Sequence, residues 1–155
     1  MEDTRPTWDQ YFIEIVKLTS QRSNCIKRKV GAIIVKDNRI LSLGYNGTPC
    51  NIKNCFEGGC KRCYKQWLNK SEHKGEYLDL CICLHAEENA LLFMSKNDLE
   101  DSTIYITLFP CISCFKKILQ CKIKRLVYLE DYNKEMQDTV LEISNNIIIE
   151  KGVCK

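Results

Sequence analysis

Eleven cysteines among 155 residues constrain this chain more than any other feature. A short chain so rich in cysteine is either cross-linked in an oxidising compartment or built around metal. The opening residues, Met1 to Pro6, are polar and place no apolar stretch ahead of a cleavage site. No run approaches the ~18 apolar residues of a membrane span. An odd cysteine count without an export signal points to the reducing cytoplasm, and to metal ligands rather than disulfides. Hydrophobic residues make up 45% and charged residues 28%, which is globular rather than disordered composition. At this length one domain over residues 1–155 is expected, with roughly 70% of its unfolded surface buried. The net charge of +3 is too mild to demand nucleic acid or a membrane as partner, and neither is expected.

The hydrophobic pattern gives a coarse element order. A helix is expected from Thr7 to about Gln21, with Thr7 and Gln10 as a capping box. Tyr11, Ile15 and Leu18 recur on it at helical spacing, with Phe12 and Val16 beside them. Val30 to Val35 is a near-continuous apolar run, as in a strand buried on both faces. Asp37-Asn38 marks a hairpin turn, and Arg39 to Gly44 returns as a second strand. Residues 45–83 carry six cysteines and few apolar positions, so metal rather than a core is expected to order an insert of about 48–83. Beyond it come a helix from about Ala86, a strand over 103–107 and a helix over 111–120. A strand over 125–129, a helix over 135–143 and a strand over 146–150 complete the chain. Strands alternating with helices imply a parallel sheet covered by helices, with a hairpin at its beginning.

One constellation carries chemistry: His85-Ala86-Glu87, followed by Pro110-Cys111-Ile112-Ser113-Cys114. Cys111 and Cys114, three apart, face one side of a helix's first turn, where the electropositive helix end favours thiolates. His85 supplies a third, neutral ligand. Three protein ligands on zinc leave the fourth tetrahedral position for water, whose pKa the metal lowers. Glu87 can reach that water without occupying the metal, as a general base and acid. A lone Cys-x-x-Cys is more often a structural zinc site. The preceding proline, the glutamate two after the histidine and the intervening helix–strand unit make the set far more specific to zinc-dependent nucleobase deamination.

Longer stretches extend the likeness. Arg5-Pro6-Thr7-Trp8-Asp9-Gln10-Tyr11-Phe12, Arg22-Ser23-Asn24-Cys25, Val30 to Val35, Gly44-Tyr45-Asn46-Gly47-Thr48-Pro49, Asn54 to Cys63 and Cys81 to Leu91 resemble the deoxycytidylate (dCMP) deaminases, in their cysteine-rich branch. The likeness covers about residues 5–132. It implies an α/β fold, the three-layer α/β/α cytidine deaminase fold with a mixed five-stranded sheet. It implies hydrolysis of dCMP to dUMP and ammonia for thymidylate synthesis, activation by dCTP and inhibition by dTTP, and a homo-hexamer. The expected cofactors are one catalytic zinc, one or two structural zincs, and magnesium accompanying a triphosphate effector.

The resemblance also implies site residues. Substrate contacts fall at Asn46, Gly47, Ala86, Phe109 and Tyr132, and effector contacts at Gly44, Tyr45 and Asn46. Asn46-Gly47 is equally a plain turn signal, Phe109 equally a core aromatic, and Tyr132 equally a packing residue. Arg22, Lys27, Arg28 and Lys29 form a basic group suited to phosphate, or a solvated face. Cys60-x-x-Cys63 has the reach for one tetrahedral zinc, and metal at Cys81-x-Cys83 would brace the segment before His85. Cys25 and Cys55 resemble structural-zinc ligands in other members, with Cys83 at a third such position. Two complete tetrahedral sites need eight ligands, more than these six cysteines, and His73 is a candidate for one more. Cys50, Cys121 and Cys154 read as ordinary thiols. The family's small residue and glycine after the helix are here Cys121 and Lys122, so an altered helix end is expected there. Two other readings remain at this stage: a deaminase of dCTP or another cytosine nucleotide, and a catalytically silent zinc-ordered interaction module.

Overall fold

A computed structural model describes residues 4–68 and 78–153 of the chain. Helix α1 (Trp8–Ser20) begins at the expected capping box: Gln10 N–H donates to Thr7 Oγ1 (3.3 Å), and Thr7 N–H donates to Gln10 Oε1 (3.0 Å). Its inward face is Phe12, Ile13 and Val16, whereas Tyr11 and Leu18 stay exposed. The apolar stripe is therefore rotated from the one the spacing suggested. Strands β1 (Gly31–Lys36) and β2 (Arg39–Tyr45) form the hairpin. Asp37 and Asn38, with φ of 51° and 57°, take the left-handed pair that suits the twist of a two-residue turn.

Strands β3 (Thr103–Leu108), β4 (Arg125–Glu130) and β5 (Ile148–Lys151) complete one five-stranded sheet in the order β2-β1-β3-β4-β5. β1 runs antiparallel to both its neighbours, and the β3–β4 and β4–β5 pairs are parallel. The mixed sheet is thus the one expected. Alternation along β1 divides the core. Ile33 and Val35 join Phe12, Ile13, Val16, Tyr105 and Val127 under α1. Ala32 and Ile34 point the other way, into a larger cluster that includes Ala86, Phe115, Ile118 and Val140. That second layer is made by α3 (Ala86–Leu92), α5 (Ile112–Gln120) and α6 (Lys134–Glu142). Two short helices, α2 (Lys61–Leu68) and α4 (Lys96–Leu99), complete the set and have no counterpart in the sequence reading.

The end of α5 shows how the chain manages without its expected glycine. Lys122 occupies the left-handed region at φ 56°. Its N–H donates to Leu119 O (2.9 Å), and Ile123 N–H reaches Ile118 O (3.4 Å). This is a Schellman closure, with Ile118 and Ile123 both buried beneath it.

A polar lock ties α1 to the far strands. Arg125 on β4 donates to both oxygens of Asp9 (2.7 and 2.8 Å) and to Glu150 on β5 (2.6 Å), while Tyr105 on β3 donates to Asp9 Oδ1 (2.5 Å). The Arg125 hydrogen bonds hold the Asp9 carboxyl below its ordinary range against the opposing effect of burial. A lowered folded-state pKa adds stability that is present above the unfolded value of about 3.9 and lost as pH falls through the folded value. Asp9→Asn should lower stability at pH 7 by about 1 kcal/mol, the side chain being partly exposed. In denaturant titrations the gap between parent and variant should narrow below pH ~4.

Candidate active site

Two chain segments deliver the predicted constellation to one place. β3 ends at Leu108, and Phe109-Pro110 lead directly to Cys111, which caps α5. Cys114 lies in the first turn of that helix and is fully buried. His85 caps α3. His85 Nδ1 stands 3.5 Å from Cys111 Sγ and 3.3 Å from Cys114 Sγ. Zinc bonds of ~2.0 Å to nitrogen and ~2.3 Å to sulfur at a tetrahedral angle put such atoms about 3.5 Å apart, so the three residues fit zinc. The thiol of Cys114 and the His85 imidazole draw the Cys111 thiol down to about 4, so an anionic sulfur is available. Cys111 in turn holds the imidazole up at about 9.

Glu87 follows one residue into α3 and is 4% exposed. Burial pushes its carboxyl up to about 7, helped by the neighbouring Cys111 and Glu88 and opposed by His85 and the helix amide. A carboxyl poised there can both take and return a proton near neutrality.

His85 and Glu87 are held by what surrounds α3. Gly44 on β2 is where helix and sheet meet: a Cβ there would lie 2.1 Å from Ala86 O and 2.5 Å from Ala90 N. Asn89 donates to Tyr45 O (2.7 Å). Gly47 and Leu84 exchange backbone hydrogen bonds (3.2 and 2.8 Å), which fixes the residue just before His85. Glu88 accepts from His85 N–H (2.9 Å) and pairs with Lys117, joining α3 to α5.

The other cysteines also converge. Cys25, Cys55, Cys63 and Cys83 form one group, and Cys60, Cys63, Cys81 and Cys83 a second, the sulfurs of each within 4.8 Å of one another. Cys63 and Cys83 belong to both. Cys55, Cys60 and Cys63 are at most 1% exposed, and every described cysteine is a free thiol. Helix α2 buries only Cys63 and is ordered by this cluster rather than by an apolar stripe. His73 and Cys154 lie outside the described residues. Cys50 and Cys121 stand outside these groups.

The family model described as the cytidine and deoxycytidylate deaminase zinc-binding region matches residues 6–130. The chain belongs to the cytidine and deoxycytidylate deaminase family. Within that family it is 47% identical over 132 residues to a deoxycytidylate deaminase of Schizosaccharomyces pombe, covering 84% of this chain but 39% of that protein. It therefore spans about two fifths of that fungal relative's length. The deoxycytidylate deaminase of Mycobacterium phage D29 is 38% identical over 128 residues, covering 81% of this chain and 96% of the phage protein. The dCMP deaminase of cyanophage S-TIM5, solved in complex with dCMP and dUMP, superposes with a TM-score of 0.71 at 31% identity. That match covers 96% of this chain and 99% of the other.

For a member of this deaminase family, the remaining expected positions divide in two. Asn46 spends both side-chain atoms on its own fold: Val30 N–H donates to Oδ1 (2.8 Å), and Nδ2 donates to Arg28 O (2.7 Å). Gly47, Gly44, Tyr45 and Ala86 likewise have packing or pairing roles next to His85 and Glu87. Phe109 is 3% exposed and meets Tyr128 edge-on at 4.8 Å, so its ring belongs to the core. Tyr132 is open to solvent, with the Arg28 guanidinium 5.5 Å over its ring. Lys27, Arg28 and Lys29 line a groove of about 590 Å³ whose other walls include Ser23, Phe56 and Trp67, and Arg22 is not part of that lining.

Asn24 is the residue whose role the sequence hid. Its Nδ2 donates to Asn54 Oδ1 (2.9 Å), and its Oδ1 accepts from Thr48 N–H (3.1 Å). It joins three loops, and only its place in the Arg22-Ser23-Asn24-Cys25 stretch could have signalled it. Gly44→Ala should prevent α3 from seating on β2, lowering stability by about 1–3 kcal/mol in urea titrations through overpacking against backbone.

Proposed function

We propose that this chain catalyses the hydrolytic deamination of dCMP to dUMP and ammonia, using one zinc held by His85, Cys111 and Cys114. The observation that carries this reading is the 3.3–3.5 Å approach of His85 Nδ1 to both sulfurs, with the buried Glu87 carboxyl on the same helix. The dCMP and dUMP complex of the cyanophage relative supports the choice of substrate. When bound, zinc supplies the Lewis acidity that makes water a nucleophile near neutral pH. Glu87 takes one proton from that water and hands it to the ring nitrogen, then takes the second from the new hydroxyl on the ring carbon and delivers it to the departing ammonia. Low exposure of Glu87 keeps these transfers away from bulk solvent. Lys27, Arg28 and Lys29, with Tyr132 beneath Arg28, form the cationic surface proposed to hold the nucleotide phosphate.

The same reading includes activation by dCTP, with its accompanying magnesium, inhibition by dTTP, and assembly of copies of this chain into a hexamer. Exposed Leu43 on the outer strand β2, and exposed Leu92 and Phe93 at the end of α3, support self-association, which light scattering checks. Free thiols at every described cysteine fit work in the reducing cytoplasm. Among the described residues, no helix is long and apolar enough to cross a membrane.

The test is a spectroscopic deamination assay on zinc-replete protein, with dCMP, dCTP and a cytosine oligonucleotide as separate substrates and dCTP or dTTP as effectors. Turnover of dCMP is expected, raised by dCTP and lowered by dTTP. Glu87→Ala should keep its zinc and lose at least ~100-fold in kcat. Arg28→Ala should raise KM for dCMP by about tenfold, as one lost charge-assisted phosphate contact implies, with a smaller change in kcat. An inert parent protein that carries zinc would favour the interaction-module reading instead.

A further inference from the structure

The two cysteine groups overlap, and the overlap decides how six sulfurs can be used. An isolated tetrahedral zinc takes four ligands, so two isolated sites need eight. Two tetrahedra that share an edge need only six. Cys63 and Cys83 are the pair common to both groups, while Cys25 and Cys55 belong only to the first and Cys60 and Cys81 only to the second. We propose that these six cysteines bind a binuclear zinc–thiolate cluster in which Cys63 and Cys83 bridge the two ions.

The distances fit. Cys81 Sγ lies 3.9 Å from Cys60 Sγ and 3.7 Å from Cys63 Sγ. Sulfurs on one tetrahedral zinc at ~2.3 Å stand about 3.8 Å apart, whereas a disulfide would need ~2.05 Å. Backbone amides also point at the sulfurs. Lys27 and Arg28 N–H groups donate to Cys25, Ile26 N–H to Cys55, and Cys83 N–H to Cys81. Such donors stabilise metal-bound thiolates and orient them. A single ion at either group would strand two of the six sulfurs. At the first group those would be Cys60, which is fully buried, and Cys81; at the second, Cys25 and the fully buried Cys55. With two ions every sulfur is used, and the six thiolates are largely neutralised.

The cluster would join three parts of the chain that share little apolar packing: the 25–28 loop, the 55–63 segment and residues 81–83. Cys83 lies two residues before His85, and Cys25 lines the basic groove. The inference does not depend on the deaminase reading.

The experiment uses the full chain, purified with zinc under reducing conditions, and counts metal by native mass spectrometry. One ion is expected for each of the three ligand groups. His85→Ala combined with Cys114→Ser should lose one ion and leave the cluster pair intact, so failure at the catalytic site is read separately. The parent protein is then reloaded with cadmium-113 for NMR. Two thiolate-bound resonances split by mutual coupling through shared sulfur are expected, with a third resonance uncoupled. A single ion outside the His85 site, or two cysteine-bound resonances without mutual coupling, would overturn the bridged cluster. Because both readouts use the parent sequence, a misfolded variant cannot decide the result.

Discussion

The close seating of helices on neighbouring strands is what the rest of the structure depends on. Gly44 on β2 leaves room for the backbone of α3, and Gly31 on β1 leaves room for α1, where a Cβ would meet Val16 O at 2.6 Å. These glycines sit side by side in the hairpin, at adjoining register positions. Each face of the sheet therefore receives its helix at backbone distance rather than side-chain distance. Since α3 begins at His85, its depth on the sheet sets where the imidazole and Glu87 lie. The parallel β3–β4 pair sets the other half by aiming α5, and with it Cys111 and Cys114, from the same edge.

Around that frame, charge reinforces elements that apolar packing already brings together. Glu88 and Lys117 tie α3 to α5 beside the sulfurs. Asp9, Arg125, Tyr105 and Glu150 tie the first helix to β3, β4 and β5. Partly buried pairs of this kind contribute less through Coulomb energy than through fixing which surfaces face each other.

The legible part of this chain is the part with strong periodicity or fixed chemical spacing. The double-faced β1, the Asp37-Asn38 turn and the alternation of strand and helix after Ala86 follow from hydrophobic pattern and turn residues, whereas the mixed five-stranded sheet was implied by the family resemblance. His85, Cys111 and Cys114 were legible because coordination demands particular residue types at particular separations, and Glu87 because it stands two residues from the histidine. Helix α2 was not, because its packing rests on a cysteine rather than on an apolar stripe. Asn46 illustrates a different limit. Its position beside the site was legible, but its side chain bonds to the backbone of residues 28 and 30, a partnership that exists only once those loops meet. The membership of Cys63 and Cys83 in both groups was hidden for the same reason: counting cysteines along a sequence cannot reveal that one sulfur lies in two groups.

The order of the sulfurs along the chain has a consequence for biosynthesis. The six cysteines of the two overlapping groups, from Cys25 to Cys83, all precede His85, and Cys111 and Cys114 follow it. On a ribosome, every member of the six-cysteine group leaves the exit tunnel before Cys111 and Cys114 do. The sulfur-rich loops are therefore free of the tunnel while Cys111 and Cys114 are still inside it. Chain order thus lets the sulfur-rich scaffold beside His85 gather before Cys111 and Cys114 can reach the imidazole.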